Sequence, residues 1–114
     1  MSETIDLTQQ TCVACEGLSH PLSQNQVDNL MPQLHEWQTL EQAKMLYKEF
    51  KFKDFYQTMA FVNAVAWIAN QENHHPDIEV GYNYCHIKYF THAIDGLSQN
   101  DFICAAKIDK LVLG

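Results

Sequence analysis

Basic side chains are scarce in this chain. Seven Lys and Arg stand against 14 Asp and Glu in 114 residues, a formal charge of −7 at pH 7. Without clustered Lys and Arg there is little to neutralise phosphates, which argues against nucleic acid as a direct partner. No run of about 18 apolar residues occurs, so no membrane span is expected. The opening M-S-E-T-I-D-L-T-Q-Q lacks the basic and apolar regions of a signal peptide. The expectation is a cytoplasmic location, where Cys12, Cys15, Cys85 and Cys104 stay reduced. Repeats and low-complexity linkers are also missing. At this length the chain makes one domain, small enough that oligomerisation would help to stabilise it.

What is present is an ordinary globular composition, 46% apolar and 18% charged. Residues 1–22 are polar and irregular, carry C-V-A-C at 12–15, and read as an arm that offers little to a core. The domain proper is expected over 23–114. S-Q-N-Q at 23–26 has the pattern of a capping box, and Val27, Leu30, Met31 and Leu34 follow as one helical stripe. Pro32 falls inside that stripe, so the helix should kink or tighten near Met31. Trp37–Leu40 and Ala43–Phe52 read as strands joined by a short Glu41-Gln42 turn, although the alternation of the second is not clean. Asp54 is a plausible N-cap for a helix reaching Asn73. Phe55, Met59, Val62, Ala66 and Ala69 form one apolar stripe on it, and Phe61, Val65 and Ile68 another. Two stripes exceed what one sheet face can cover, so surplus surface is expected at a subunit interface, with Trp67 and Phe61 as first candidates.

Ile78, Val80 and Tyr82 alternate, as do Cys85, Ile87 and Tyr89, giving two more strands around Gly81 and Asn83. Ser98 precedes a last helix striped by Cys104, Ala105, Ile108, Leu111 and Val112. The order helix, two strands, helix, two strands, helix predicts an α+β two-layer sandwich. Its four-stranded antiparallel sheet would carry three helices on one face.

Of the six histidines, His20 and His35 lie in polar surroundings and read as surface residues. His86 shares strand parity with Tyr84 and Lys88 and reads as facing solvent. His74 and His75 stand directly before Pro76, which disfavours helical geometry at the preceding residue, so the chain must turn out of its helix there. His92 follows a strand end. A histidine at a helix C-terminus can simply complement the dipole. A metal site has less support, because H-E-x-x-H is absent and adjacent histidines cannot easily share one tetrahedral ion. A zinc site built on the C-x-x-C and His20 would have only half its ligands in the motif. Metal-free acid–base chemistry suits imidazoles better, since they titrate near neutrality at ~6.5.

H-H-P at 74–76, Tyr82, T-H at 91–92, G-L-S at 96–98 and Asp101 together resemble the pterin-4a-carbinolamine dehydratase family. L-Y-K-E-F-K-F-K-D-F at 46–55, D-F-I-C-A-A-K-I-D at 101–109 and the C-x-x-C arm are similar to microbial members. The resemblance covers nearly the whole chain. It implies a dehydratase that converts 4a-hydroxytetrahydropterin to quinonoid dihydropterin and water, recycling the pterin cofactor of aromatic amino-acid hydroxylases. It also implies the sandwich fold above and a homodimer or homotetramer assembled through the helices. Such an enzyme needs no metal and no cofactor, and an aromatic amino-acid hydroxylase is a possible partner. Animal members also act as dimerisation cofactors of a homeodomain transcription factor. The alternative function is therefore a partner-docking module with secondary catalysis.

Carried over to matching positions, His74 and His92 are the expected proton-transfer pair, with His75 orienting the ring or the hydroxyl. Pro76, Thr91, Ala93 and Ile94 are expected to line the pterin pocket. Two positions depart from the family pattern. Ile78 stands where animal members have tryptophan, and Asn70 where many members have a carboxylate, from which it could still orient His74 by a hydrogen bond. Asp101, in the first turn of the last helix, reads first as a structural residue suited to the dipole.

Overall fold

Ser23 opens the first helix, α1 (Gln24–Leu30): its hydroxyl accepts from the Gln26 N–H while the Gln26 side chain accepts from the Ser23 N–H. This capping box satisfies two donors that the first turn leaves free. The chain then tightens into a 3₁₀ turn over Met31–Gln33, where Pro32 can no longer supply an α-helical donor. In this computed structural model, residues 6–14 and 17–113 are described, and Cys15 lies outside them.

The four strands are β1 (Gln38–Leu40), β2 (Met45–Lys51), β3 (Asp77–Val80) and β4 (Tyr84–Tyr89). They form one antiparallel sheet in the order β1-β2-β4-β3. Leu46, Lys48 and Phe50 of β2 lie opposite Tyr89, Ile87 and Cys85 of β4, so these six share one face. All six are buried. Lys48 is why the alternation of β2 looked imperfect. Its ammonium is buried on the core side, 2.9 Å from Asp109 Oδ1 and 2.6 Å from the His35 carbonyl. Asp109 also accepts from the Trp37 indole at 2.9 Å.

The β1–β2 connection is longer than the two-residue turn expected. Glu41, Gln42 and Ala43 all adopt positive φ, and the Lys44 N–H closes on the Leu40 carbonyl at 3.0 Å. No glycine or asparagine marks these left-handed positions, so nothing local announces the turn. The β3–β4 hairpin does carry its signal. A Cβ on Gly81 would run into the Tyr84 ring, so a larger residue there would require that ring to move.

Helices α2 (Phe55–Glu72) and α3 (Gln99–Leu113) pack on the inner face of the sheet and on each other. Asp54 caps α2 by accepting from the Gln57 N–H at 2.9 Å. Phe61, Val65 and Ile68 enter the core together with Ala69. Phe61 packs against Phe50 and Phe52, which removes it as an interface residue. The other face of α2 is uncovered: Trp67 is 65% exposed, and Phe55 and Tyr56, about three turns earlier on the helix, are exposed as well.

The arm contributes more than its composition suggested. Leu7 is fully buried in the core, and its N–H donates to Gln33 Oε1. A single apolar residue in a polar stretch carries no periodic signal, so this anchor was not legible.

Candidate active site

Three element ends meet at His74. The first is the end of α2, where Asn73 takes a left-handed conformation, φ 53°, and its N–H donates to the carbonyls of Ala69 and Asn70. The His74 N–H closes on the Ala69 carbonyl at 3.0 Å. These are the bonds of a Schellman motif, and they turn the chain sharply out of the helix. His74 therefore points back into the protein, only 7% exposed, while His75 is left on the surface.

The second end is that of β4. Tyr89 lies under His74, the rings stacked with centroids 5.4 Å apart, and its hydroxyl donates to the His74 carbonyl at 3.2 Å. Burial pushes the Tyr89 phenol well above its ordinary range, so it stays a neutral donor. Thr91 follows two residues later, buried.

The third end is the first turn of α3. Asp101 is fully buried, with Oδ1 2.6 Å from His74 Nε2. Its Oδ2 accepts from the Thr91 hydroxyl at 2.8 Å and from the Ser98 N–H at 2.9 Å. With the Thr91 hydrogen committed to Asp101, the Ser98 hydroxyl donates to Thr91 across 2.7 Å. Among the described residues no buried side-chain nitrogen or oxygen lacks a hydrogen-bond partner.

Asp101, read as a structural and supporting residue, sits at the start of α3 as expected, and its carboxylate also binds His74. Ser98-x-x-Asp101 has the spacing of a capping box, and that spacing was the available signal. The partner of His74 is Asp101, and no hydrogen bond joins Asn70 to it. Thr91 likewise has its hydroxyl directed inward and its backbone paired with Gly96, so it supports Asp101 instead of lining an open pocket.

The electrostatics follow from the contacts. Burial on its own would lower the His74 pKa, but the hydrogen bond and the negative charge of Asp101 outweigh it and raise the pKa above 6.5. A carboxylate at Nε2 fixes the proton there in the neutral ring. Nδ1 is left as the nitrogen that can exchange a proton.

Asn70, His75 and Pro76 line a cleft of about 300 Å³ with Ala66, Ala69, Asn73 and Ile78. His92 and Ala93 are exposed on a 3₁₀ turn over His92–Ile94, with Ile94 half-buried. The His92 ring lies edge-on to Phe90 at 4.3 Å and makes no ring contact or hydrogen bond with His74. His20, His35 and His86 lie apart: His20 bonds Ser19 on the surface, and His86 Nδ1 is 3.2 Å from Glu79. Among the described residues, no group of three or more His, Cys, Asp or Glu is placed to hold a metal ion.

Fold and site together define a two-layer α+β sandwich with a buried histidine–carboxylate pair where helix and strand ends converge. The family profile described as Pterin 4 alpha carbinolamine dehydratase matches residues 20–111. The chain belongs to this family. A relative from Legionella pneumophila (strain Lens) is 58% identical over 111 residues, covering 96% of this chain and 98% of its own. One from Nitrosospira multiformis is 61% identical over 112 residues, covering 97% of each chain. Both carry the provisional name pterin-4-alpha-carbinolamine dehydratase. A solved structure of a transcriptional coactivator/pterin dehydratase from Brucella melitensis aligns with TM-score 0.76 and 26% identity, over 81% of this chain and 98% of that one. A pterin dehydratase-like protein identified as a RuBisCO assembly factor in the alpha-carboxysome aligns with TM-score 0.60 and 30% identity, over 69% of this chain and 92% of that one.

Proposed function

We propose that the protein eliminates water from 4a-hydroxytetrahydropterin to give quinonoid dihydropterin, and that His74 and His92 carry the two proton transfers. The observation that carries this reading is the buried His74–Asp101 pair in a chain of this family. A hydroxyl leaves poorly until protonated. Asp101 raises the pKa of His74, which favours its imidazolium as the acid, acting through Nδ1–H. As the C4a–O bond breaks and water departs, a neutral His92 takes the ring N–H proton. Solvent then restores both histidines. His75, on the cleft beside Pro76, orients the substrate ring or its hydroxyl, and Ala93 and Ile94, on the 3₁₀ turn that carries His92, add apolar surface.

The hydroxyl on C4a and the proton on the adjacent ring nitrogen are each met by a different imidazole, so His74 and His92 need no contact with each other. The enzyme works in the cytoplasm beside an aromatic amino-acid hydroxylase that generates its substrate. It assembles as a dimer or tetramer through the uncovered face of α2. The test is to generate the 4a-carbinolamine enzymatically and follow its decay with and without the purified protein. Acceleration that survives exhaustive chelation supports the reading. Decay at the uncatalysed rate with folded protein would leave the docking role as the better account.

A further inference from the structure

Two of the four cysteines meet far from each other in sequence. Cys12 Sγ lies 3.7 Å from Cys104 Sγ, across 92 positions of the chain. Cys104 is fully buried in α3, whereas Cys12 is half-buried on the arm. The approach is held from both sides. The Cys12 N–H donates to Glu72 Oε1 at 2.9 Å, at the end of α2. Its neighbour Val13 makes a two-way bond with the Asn100 side chain, N–H to Oδ1 at 3.0 Å and Nδ2 to the carbonyl at 2.9 Å. Glu72 is itself fixed by Lys107 at 2.7 Å. Cys104 Sγ also donates to the His74 carbonyl at 3.8 Å, so the pair lies directly behind the site.

We propose that Cys12 and Cys104 form a reversible disulfide that locks the arm onto α3. A disulfide has sulfurs ~2.05 Å apart, so the two must close by about 1.7 Å, a shift within reach of side-chain rotation on an irregular arm. The oxidant is a low-molecular-weight disulfide. Cys12, once its thiol proton is lost to the alkaline solvent, attacks one sulfur of the oxidant, breaks its S–S bond and expels one thiolate. Cys104 loses its proton and attacks the Cys12 sulfur, forming the Cys12–Cys104 bond and expelling the second thiolate. The two expelled thiolates take up the two protons, so two protein thiols are oxidised and one disulfide is reduced. Cys104 suits the second step. In the reduced protein the Cys12 hydrogen bond, then the Tyr89 hydroxyl and the His74 charge, hold its thiol below the ordinary value against the opposing effect of burial, and the last two remain once Cys12 is in the mixed disulfide. Once the bond forms, the His74 carbonyl keeps only the Tyr89 hydroxyl as a side-chain donor.

The test incubates full-length protein with excess oxidised glutathione at mildly alkaline pH, then maps disulfide-linked peptides by mass spectrometry and measures melting temperature. The expected product is a Cys12–Cys104 linkage that dithiothreitol reverses and that persists in Cys15→Ser. The linked protein should melt higher than the reduced one, and Cys12→Ser should show neither linkage nor rise. Cys12 linked to Cys15 instead, or free Cys104 under excess oxidant, would overturn the pairing. A linked form that melts no higher than the reduced protein would overturn the lock.

Discussion

Asp101 accepts from three groups on three different elements: His74 after α2, Thr91 after β4 and Ser98 before α3. Replacing it by Asn keeps the shape and removes the charge. Asp101→Asn should lower turnover about tenfold or more, short of the ~10²–10⁴ expected when a proton-transfer group is lost outright. The alkaline limb of its pH–rate profile should also move to lower pH, because the pKa of His74 is no longer raised. A limb that stays in place would remove the charge of Asp101 from the account. The same pair links stability to pH. The folded pKa of His74 lies above 6.5, so the stabilisation it brings is complete below that value and is lost as pH rises through the folded pKa. The stability gap between wild type and Asp101→Asn should narrow accordingly in alkaline solution, read by denaturation at several pH values. The place of His74, His75 and His92 at element ends was legible from Pro76 and from the end of the strand before His92. The inward turn of His74 was not, because it depends on the left-handed Asn73, which has no hydrophobic period to reveal it.

At the scale of elements, β2 shows a polar residue built into a core. Lys48 reaches across to Asp109 at the far end of α3, and the Trp37 indole and the His35 N–H join the same carboxylate. Asp109→Ala would strand a buried ammonium and an indole N–H, a loss of about 3–5 kcal/mol by analogy with other broken buried pairs. The double variant Lys48→Met with Asp109→Leu should recover much of it, since apolar side chains of similar size avoid the desolvation penalty. Urea denaturation of the single and double variants decides this, and equal losses in both would contradict it. The sequence made the helices and strand pairs readable through Ser23, Asp54, Pro32 and the alternation of Cys85, Ile87 and Tyr89. It concealed Lys48, because a lysine in a strand reads as a solvent position until its partner 61 residues away is known. The β1–β2 turn was hidden for a related reason, since Glu41, Gln42 and Ala43 are not residues that favour positive φ.

At the scale of the whole molecule, the two sides of α2 divide the work. Phe61, Val65 and Ile68 hold the sheet, while Phe55, Tyr56 and Trp67 remain uncovered. An apolar face of this kind on a small domain fits a subunit interface. Trp67→Glu should reduce the mass seen by light scattering without unfolding the protomer, and an unchanged mass would place the interface elsewhere. The arm is fastened at Leu7 and Val13, yet supplies none of the candidate site histidines. Deleting residues 1–22 should cost about 1.5–3 kcal/mol for the lost Leu7 burial alone. Turnover per folded molecule should be retained, and a truncation as stable as the full chain would contradict the anchoring role. The proposed transfer of protons by His74 and His92 is most directly tested by the turnover of His74→Ala, His92→Ala and the double variant on 4a-carbinolamine. Each single variant should fold and lose ~10²–10⁴ in kcat, with the double little worse than the worse single, because groups that act as a unit are not additive. Near-wild-type turnover in a folded His74→Ala protein would contradict the account.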